Sequence, residues 1–152
     1  MKKSYILSLI VLIATMLFAM ICSGCVSCFL DIGSLFMVII PTFFMLIANY
    51  SLNEIGSSFV EGFRKEQIDS TRLKTGIIFF KSMQKYLIFS GMLGVFTGVI
   101  AMLAMLDNPE KFGAGLALAL LTVLYSLFFS MAVAIPFRTG LEKRLAEFES
   151  GV

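Results

Sequence analysis

The sequence predicts an all-α integral membrane protein with four transmembrane helices, and three observations lead to this fold class. Hydrophobic residues make up 59% of the 152 residues and charged residues only 14%, whereas soluble domains average about 45–50% and about 25%. The hydrophobic residues form long runs without the two-residue alternation of a barrel strand, which favours helices. The basic residues cluster between these runs rather than within them.

Each apolar run has the length that a helix needs to cross a bilayer, since a hydrocarbon core of about 30 Å takes about 20 helical residues. The predicted spans are, in chain order, about 5–25, 34–50, 86–106 and 113–137. They form two transmembrane hairpins, residues 1–50 and 86–137. A short cytoplasmic helical segment at 51–85 joins the hairpins, and a cytoplasmic tail helix at 138–152 follows the second one.

The distribution of basic residues predicts which side of the membrane each segment faces. Of the 12 Lys and Arg residues, only Lys111 lies between the two spans of a hairpin; the others precede the first span, lie within 51–85 or follow the fourth span. Loops rich in Lys and Arg stay in the cytoplasm, so both termini and the 51–85 segment are expected there. The net charge of +2 then serves membrane topology and indicates no nucleic-acid partner.

The N-terminus also fits a second interpretation. Lys2 and Lys3 precede an apolar run and the sequence Ser23-Gly24-Cys25, which together resemble a lipoprotein signal in which Cys25 is acylated and the first span is removed. Cys22, however, occupies the position where such signals favour Leu, and the apolar run is long for a signal core. A retained first span is therefore the preferred interpretation.

The chain's three cysteines lie near the predicted outer boundary of the first span. Two of them could form a disulfide and leave one thiol over, but packing of small residues at a helix end is the preferred interpretation. The absence of His argues against a zinc or haem site, and three clustered Cys do not complete a tetrahedral zinc site. No metal, cofactor or catalytic residue is predicted.

Small residues recur at helical spacing in both spans of the second hairpin. Gly91, Gly94 and Gly98 form one stripe on the third span, where another helix can approach closely. Gly115 and three hydroxyl residues form a second stripe on the fourth span; the hydroxyl residues are Thr122, Ser126 and Ser130. Such hydroxyls either bond to carbonyls of their own helix or a neighbour, or form a hydrated seam facing a pore or partner. Spacing alone leaves both arrangements open.

Sequence runs in both hairpins resemble the MotA, TolQ and ExbB family of proton-channel subunits. The run GMLGVFTGVIAML, residues 91–103, resembles the family's third-helix pattern. The run ALLTVLYSLFFSMAVAIPF, residues 119–137, is similar to its fourth-helix pattern, with Pro136 at the inner end. The run DIGSLFMVIIPTFFMLI, residues 31–47, looks like the start of the second helix in the MotA branch, which four spans also favour. Its matching residues are Asp31, Ser34, Val38 and Thr42.

The resemblance implies a pentameric ring of such subunits in the bacterial inner membrane. The ring surrounds a dimer of single-span partners, each with a membrane Asp that takes the proton and with a periplasmic domain. Because proton relays need an ionisable group at membrane depth and no Asp or Glu lies inside the predicted spans, this chain is expected not to carry the proton alone. The expected function is coupling of proton or sodium flow to mechanical work.

The chain departs from the family's patterns at two positions expected to line the channel. The third-helix Thr falls on Val95 and the channel-facing fourth-helix Thr falls on Val123, while the nearby Thr97 and Thr122 are rotated by roughly 200° and roughly 100° around their helices. Valines make a drier wall and are expected to reduce or gate conduction. The expected pore-facing or partner-facing residues are Val95, Thr97, Thr122, Val123, Ser126 and Ser130.

The 51–85 segment is short for the large torque-transmitting domain that the resemblance implies, which argues against a flagellar role. Its charged residues fit either a solvated helix or a docking face for a cytoplasmic partner. The candidate docking residues are Arg64, Glu66, Asp69 and Arg72. The alternative function is a non-conducting four-span scaffold or assembly factor. An enzyme is not expected, because no His, phosphate loop or nucleophile elbow is present.

Overall fold

A computed structural model of the chain describes residues 3–24, 26–63, 70–106 and 109–150, and these residues form helices and short turns without a strand. The helices are α1 (Lys3–Cys22), α2 (Ile32–Asn49), α3 (Leu52–Phe63), α4 (Ser70–Leu103), α5 (Pro109–Phe129) and α6 (Ile135–Glu149). A 3₁₀ turn, Val26–Phe29, precedes α2, and a π-helical turn, Ser130–Ala134, joins α5 to α6. The predicted all-α class is confirmed.

Among the residues that the structure describes, three helical stretches are long and apolar enough to cross a membrane, namely Ile32–Asn49, Ser70–Leu103 and Phe112–Glu149. The first helix contributes a shorter apolar stretch, Leu7–Cys22. The structure therefore supports a multi-pass helical membrane protein, while the fourth span stays a prediction.

Two helices extend well beyond the predicted spans. Helix α4 begins at Ser70 because its polar first half carries an apolar face, including Leu73 and Phe80, that is buried against other helices. The apolar run from residue 86 marked only the most hydrophobic part of this helix. Similarly, α6 continues from α5 through the π-helical turn without an intervening loop, so the last helical stretch runs from Phe112 to Glu149.

Two hydrophobic clusters hold the helices together. One joins α2, α4 and α5 near the middle of the bundle; its buried residues are Val38, Leu87, Leu121, Tyr125 and Ala134. The other joins the C-terminal end of α2, the N-terminal half of α4 and the N-terminal half of α6; its buried residues are Leu46, Leu73, Phe79, Phe80, Phe137 and Leu141. Phe59 of α3 packs edge-on against three of these rings, with centroid distances of 5.3–5.9 Å. Helix α3 is thereby fixed against this second cluster.

The start of α2 is held by polar contacts with α5. Asp31 caps the helix: its Oδ2 accepts hydrogen bonds from the Ser34 N–H at 2.6 Å and the Ser34 hydroxyl at 2.5 Å. These two bonds hold the pKa of Asp31 below its ordinary value. The Tyr125 hydroxyl accepts from the Asp31 N–H at 3.1 Å and donates to the Phe29 carbonyl. The α1–α2 connection is therefore anchored to α5.

The bonding of the cysteines differs from the preferred interpretation, in which they only pack as small residues at a helix end. Cys28 is disulfide-bonded and Cys22 is a free, exposed thiol. A disulfide that leaves one thiol over was the less favoured of the two alternatives. Cys25, the acylation site of the lipoprotein interpretation, lies outside the described residues.

Candidate functional site

Helices α4 and α5 approach each other closely along the glycine stripe of α4. A Cβ atom added to Gly94 would collide with the side chain of Thr122, and one added to Gly91 would collide with Ser126. At Gly98 an added Cβ would lie 2.6 Å from the Gly115 carbonyl oxygen. Only glycine leaves room for these contacts, so the two helices pack backbone against side chain and, near Gly98, backbone against backbone.

The hydroxyls of α5 face this contact rather than a free surface. Thr122 is fully buried, and Ser126 and Ser130 are only 3% and 2% exposed. The Thr122 hydroxyl donates to the Ala119 carbonyl at 3.0 Å and the Ser126 hydroxyl donates to the Val123 carbonyl at 2.9 Å. Because these hydroxyls are satisfied by their own helix, they can be buried against glycine. Their position between the chain's own helices differs from the pore-facing position expected for them.

Helix α2 packs on the same pair through one buried stripe, which consists of Ser34, Val38, Thr42 and Leu46. The Thr42 hydroxyl donates to the Val38 carbonyl at 2.8 Å and lies 3.1 Å from the Ser90 hydroxyl of α4. Sequence reasoning did not identify Ser90 as an interface residue. Its position four residues before Gly94, on the same helix face, was the available signal.

Val95 and Val123 lie on the side of the α4–α5 pair that is turned away from α2. At about 100° per residue, Val95 is about 140° from Ser90 and Val123 is about 160° from Tyr125, and both Ser90 and Tyr125 contact α2 or the turn before it. Both valines are half-buried at the edge of the helix contact. We call this surface the valine face.

Thr97 does not belong to the valine face. It lies only about 20° from Ser90 around α4, on the side turned towards α2. Its side chain is exposed, and its hydroxyl donates to the Leu93 carbonyl of the same helix at 2.9 Å. The six predicted pore-facing residues therefore divide into three groups: buried hydroxyls, the valine face and Thr97.

The valine face lacks any group that could carry a proton. The apolar parts of both helices, residues 86–103 and 112–129, contain no Asp, Glu, Lys or Arg. The large exposed side chains of α5 beside Val123 are the aliphatic Leu116, Leu120 and Leu127. The valine face therefore offers no charged side chain from these two segments to an ion.

Pro136 lies at the junction where the apolar helix passes into the charged one. It follows the π-helical turn, in which the Ile135 N–H bonds to the Ser130 carbonyl. Two residues further on, the Arg138 guanidinium donates to Glu142 at 2.8 Å and to Gln84 of α4 at 3.3 Å. Charged and polar contacts thus begin one turn after Ala134, the last buried residue of the π-helical turn.

Of the four candidate docking residues, one lies in the part of the chain that the structure describes. Arg64, Glu66 and Asp69 lie outside the described residues, and Arg72 is exposed near the start of α4. Close to it, Lys74 forms an ion pair with Glu149 at 3.4 Å. Across the described part of the chain, no group of three or more His, Cys, Asp or Glu side chains could hold a metal ion.

Comparison with known proteins assigns these helices to a family. Residues 44–151 match the model of the MotA/TolQ/ExbB proton channel family. Motility protein A of Aquifex aeolicus is 30% identical over 99 residues, which cover 65% of this chain and 38% of that protein. Chemotaxis protein PomA of Vibrio alginolyticus is 41% identical over 54 residues, which cover 36% of this chain and 21% of PomA.

The matched regions thus span well under half the length of either relative. The family match, in contrast, extends from the second half of α2 through α6 and includes the whole α4–α5 contact. Together with the apolar helices, it makes the chain a multi-pass membrane protein. The chain belongs to the MotA/TolQ/ExbB proton channel family, and its named relatives lie in the MotA branch.

Proposed function

We propose that this chain is the ring-forming subunit of an ion-driven, stator-like complex of the bacterial inner membrane. Family membership supports an ion-channel role. The observation that carries the proposal further is the valine face, an uncharged surface on a pair of helices in which the hydroxyls of Thr122 and Ser126 are buried in the helix contact. Such a surface suits the wall of a channel whose ion-binding group comes from a partner.

In this proposal the chain has four spans, with both termini in the cytoplasm, and assembles as a pentamer. The ring surrounds single-span partners, each with a membrane Asp and a periplasmic domain, and α4 and α5 face them. Basic residues of α4 and α6 flank the proposed inner ends of the apolar stretches, with Lys85 before the first and Arg138 after the second, and they support this orientation. Ion flow past the partner's Asp is coupled to mechanical work.

Val95 and Val123 make the wall drier than hydroxyls would. An ion beside a valine has no polar atom with which to replace lost water, so the barrier to passage rises. We therefore expect ion flux lower than that of a threonine-lined wall of the same geometry. The docking role of Arg64, Glu66, Asp69 and Arg72 towards a cytoplasmic partner remains part of the proposal.

The second candidate is a non-conducting scaffold or assembly factor of the same architecture. Val95 and Val123 also favour this candidate, because a dry wall raises the barrier to ions. The hydroxyls of Thr122 and Ser126 favour it as well, because they are buried and already bonded to their own helix. A scaffold would keep the ring and the partner and would pass no ions.

Two measurements test the proposal. Native mass spectrometry of the detergent-solubilised complex should count a pentamer, and a monomer or dimer would exclude the ring. Proton and sodium flux should then be measured in liposomes that hold the chain together with a single-span protein that carries a membrane Asp, as the proposal requires. The double variant Val95→Thr/Val123→Thr should conduct more than wild type. The matched control is Val11→Thr, an exposed position of α1, which should conduct as wild type does.

The flux results also distinguish the two candidates. Flux in wild type that rises in the threonine variant supports the channel with a dry wall. If the wild type conducts and the threonine variant conducts equally well, the role of the valines is contradicted, but the channel function is still supported. Assembled complexes that pass no ions in either form support the scaffold.

A further inference from the structure

The junction between α5 and α6 contains a backbone carbonyl that has lost its regular α-helical donor. In a regular α-helix the N–H of residue 136 would bond to the carbonyl of Ala132, but Pro136 has no N–H. The preceding turn has already widened to a π-helix, in which Ser130 accepts from Ile135. Ala132 is buried, at 7% exposure, and a buried carbonyl without a donor is costly in a membrane.

The missing donor comes from the other end of the chain. The Tyr5 hydroxyl of α1 donates to the Ala132 carbonyl at 2.8 Å. The Tyr5 ring also packs edge-on against Phe137, with ring centroids 6.2 Å apart. One side chain of α1 therefore contacts the helix junction on both sides of Pro136.

This contact differs from those of two other hydroxyl residues of α1, Ser8 and Thr15. Ser8 donates to the Tyr5 carbonyl at 2.8 Å and Thr15 donates to the Leu12 carbonyl at 2.9 Å, so both bonds remain within α1. Much of α1 is exposed, including Leu7 and Phe18 at 64% and 69%. The phenol of Tyr5 is thus a specific polar link from a peripheral helix to the junction.

We propose that Tyr5 is a positioning residue that holds the α5–α6 junction in its π-helical, proline-broken form. By supplying the donor that Pro136 lacks, Tyr5 makes the broken conformation the favoured one. Helix α1 thereby sets the direction in which α6 leaves the membrane-spanning part of α5. The inference rests on the Tyr5–Ala132 contact and does not depend on whether the complex conducts ions.

A double-mutant cycle tests this role with Tyr5→Phe, Pro136→Ala and the combined variant, purified in detergent. Tyr5→Phe removes only the hydroxyl, and we expect it to lower the midpoint of thermal unfolding of the otherwise wild-type chain. Pro136→Ala restores an N–H that can bond to Ala132, so in that background Tyr5→Phe should lower the midpoint by less than half as much. Equal losses in the two backgrounds would overturn the proposal.

A distance measurement keeps the test independent of stability. Spin labels at two exposed positions, Leu120 in α5 and Phe148 in α6, report the direction of α6 relative to α5. In Tyr5→Phe the distance distribution should broaden or shift, while Ser8→Ala should match wild type because its bond lies within α1. An unchanged distribution in Tyr5→Phe would contradict the positioning role even if stability falls.

Discussion

Helix α4 contacts its two membrane neighbours in different ways. Its contact with α5 depends on shape, because glycines let the backbone of α4 approach side chains and backbone of α5. Its contact with α2 places two hydroxyls, those of Thr42 and Ser90, at 3.1 Å. In hydrocarbon, water gives no drive to bury apolar surface, so close packing and polar contacts must hold helices together. The difference predicts that the α4–α5 contact tolerates substitution least.

The largest effect is expected at a glycine in the centre of the α4–α5 contact. Gly94→Ala places a methyl group where the Thr122 side chain lies, and overpacking of this kind costs about 1–3 kcal/mol. The matched control is Gly113→Ala at the start of α5, where an added Cβ meets nothing within 4 Å. The free energy of unfolding of each variant is measured by titration with SDS in mixed micelles. Equal free energies of unfolding for the two variants would contradict the shape-dependent contact.

An intermediate effect is expected at the cap that holds the N-terminal end of α2. Asp31→Ala removes the acceptor for two bonds from Ser34 and should cost about 1 kcal/mol near neutral pH. Because the pKa of Asp31 is lowered in the folded chain, the stabilisation by its charge is present above the unfolded pKa. It is lost as the pH falls through the lowered folded pKa.

The free energy of unfolding measured between pH 7 and pH 3 checks this pH dependence. The difference between wild type and Asp31→Ala should shrink towards the acid end of the range. Asp31→Asn is the control, because it keeps a capping oxygen without a titrating charge, and its difference from Asp31→Ala should stay constant with pH. A constant difference between wild type and Asp31→Ala would show that the charge adds nothing to the cap.

The smallest effect is expected at the polar contact between α2 and α4. Thr42→Val replaces the hydroxyl with a methyl group of similar size and should lower stability by about 0.6 kcal/mol, the typical value for such bonds within membranes. Thr97→Val is the control, because the Thr97 hydroxyl is exposed and bonds only within α4. A loss at Thr42 as large as that at Gly94 would mean that polar contacts hold α4 as firmly as shape does.

The sequence led to the fold class, to the family and to the stripe of glycines, because these depend on composition and on spacing along one helix. It did not lead to Ser90, Tyr125 or Tyr5, whose partners lie 48, 94 and 127 residues away in the chain. It also left the direction of the α5 hydroxyls open. Thr122 and Ser126 have the same spacing whether they face a lumen or a glycine, and only the position of α4 distinguishes these cases.

By itself, the sequence determined that the chain is a helical membrane protein with glycine-lined helix contacts, since hydrophobicity and periodicity are properties of one segment at a time. Only the tertiary structure decided that the hydroxyls of Thr122 and Ser126 turn towards α4 and that Val95 and Val123 share the valine face. It alone joined Tyr5 to the carbonyl of Ala132 at 2.8 Å. The physical reason is that each of these depends on how one helix is rotated against another, which periodicity within a helix does not specify.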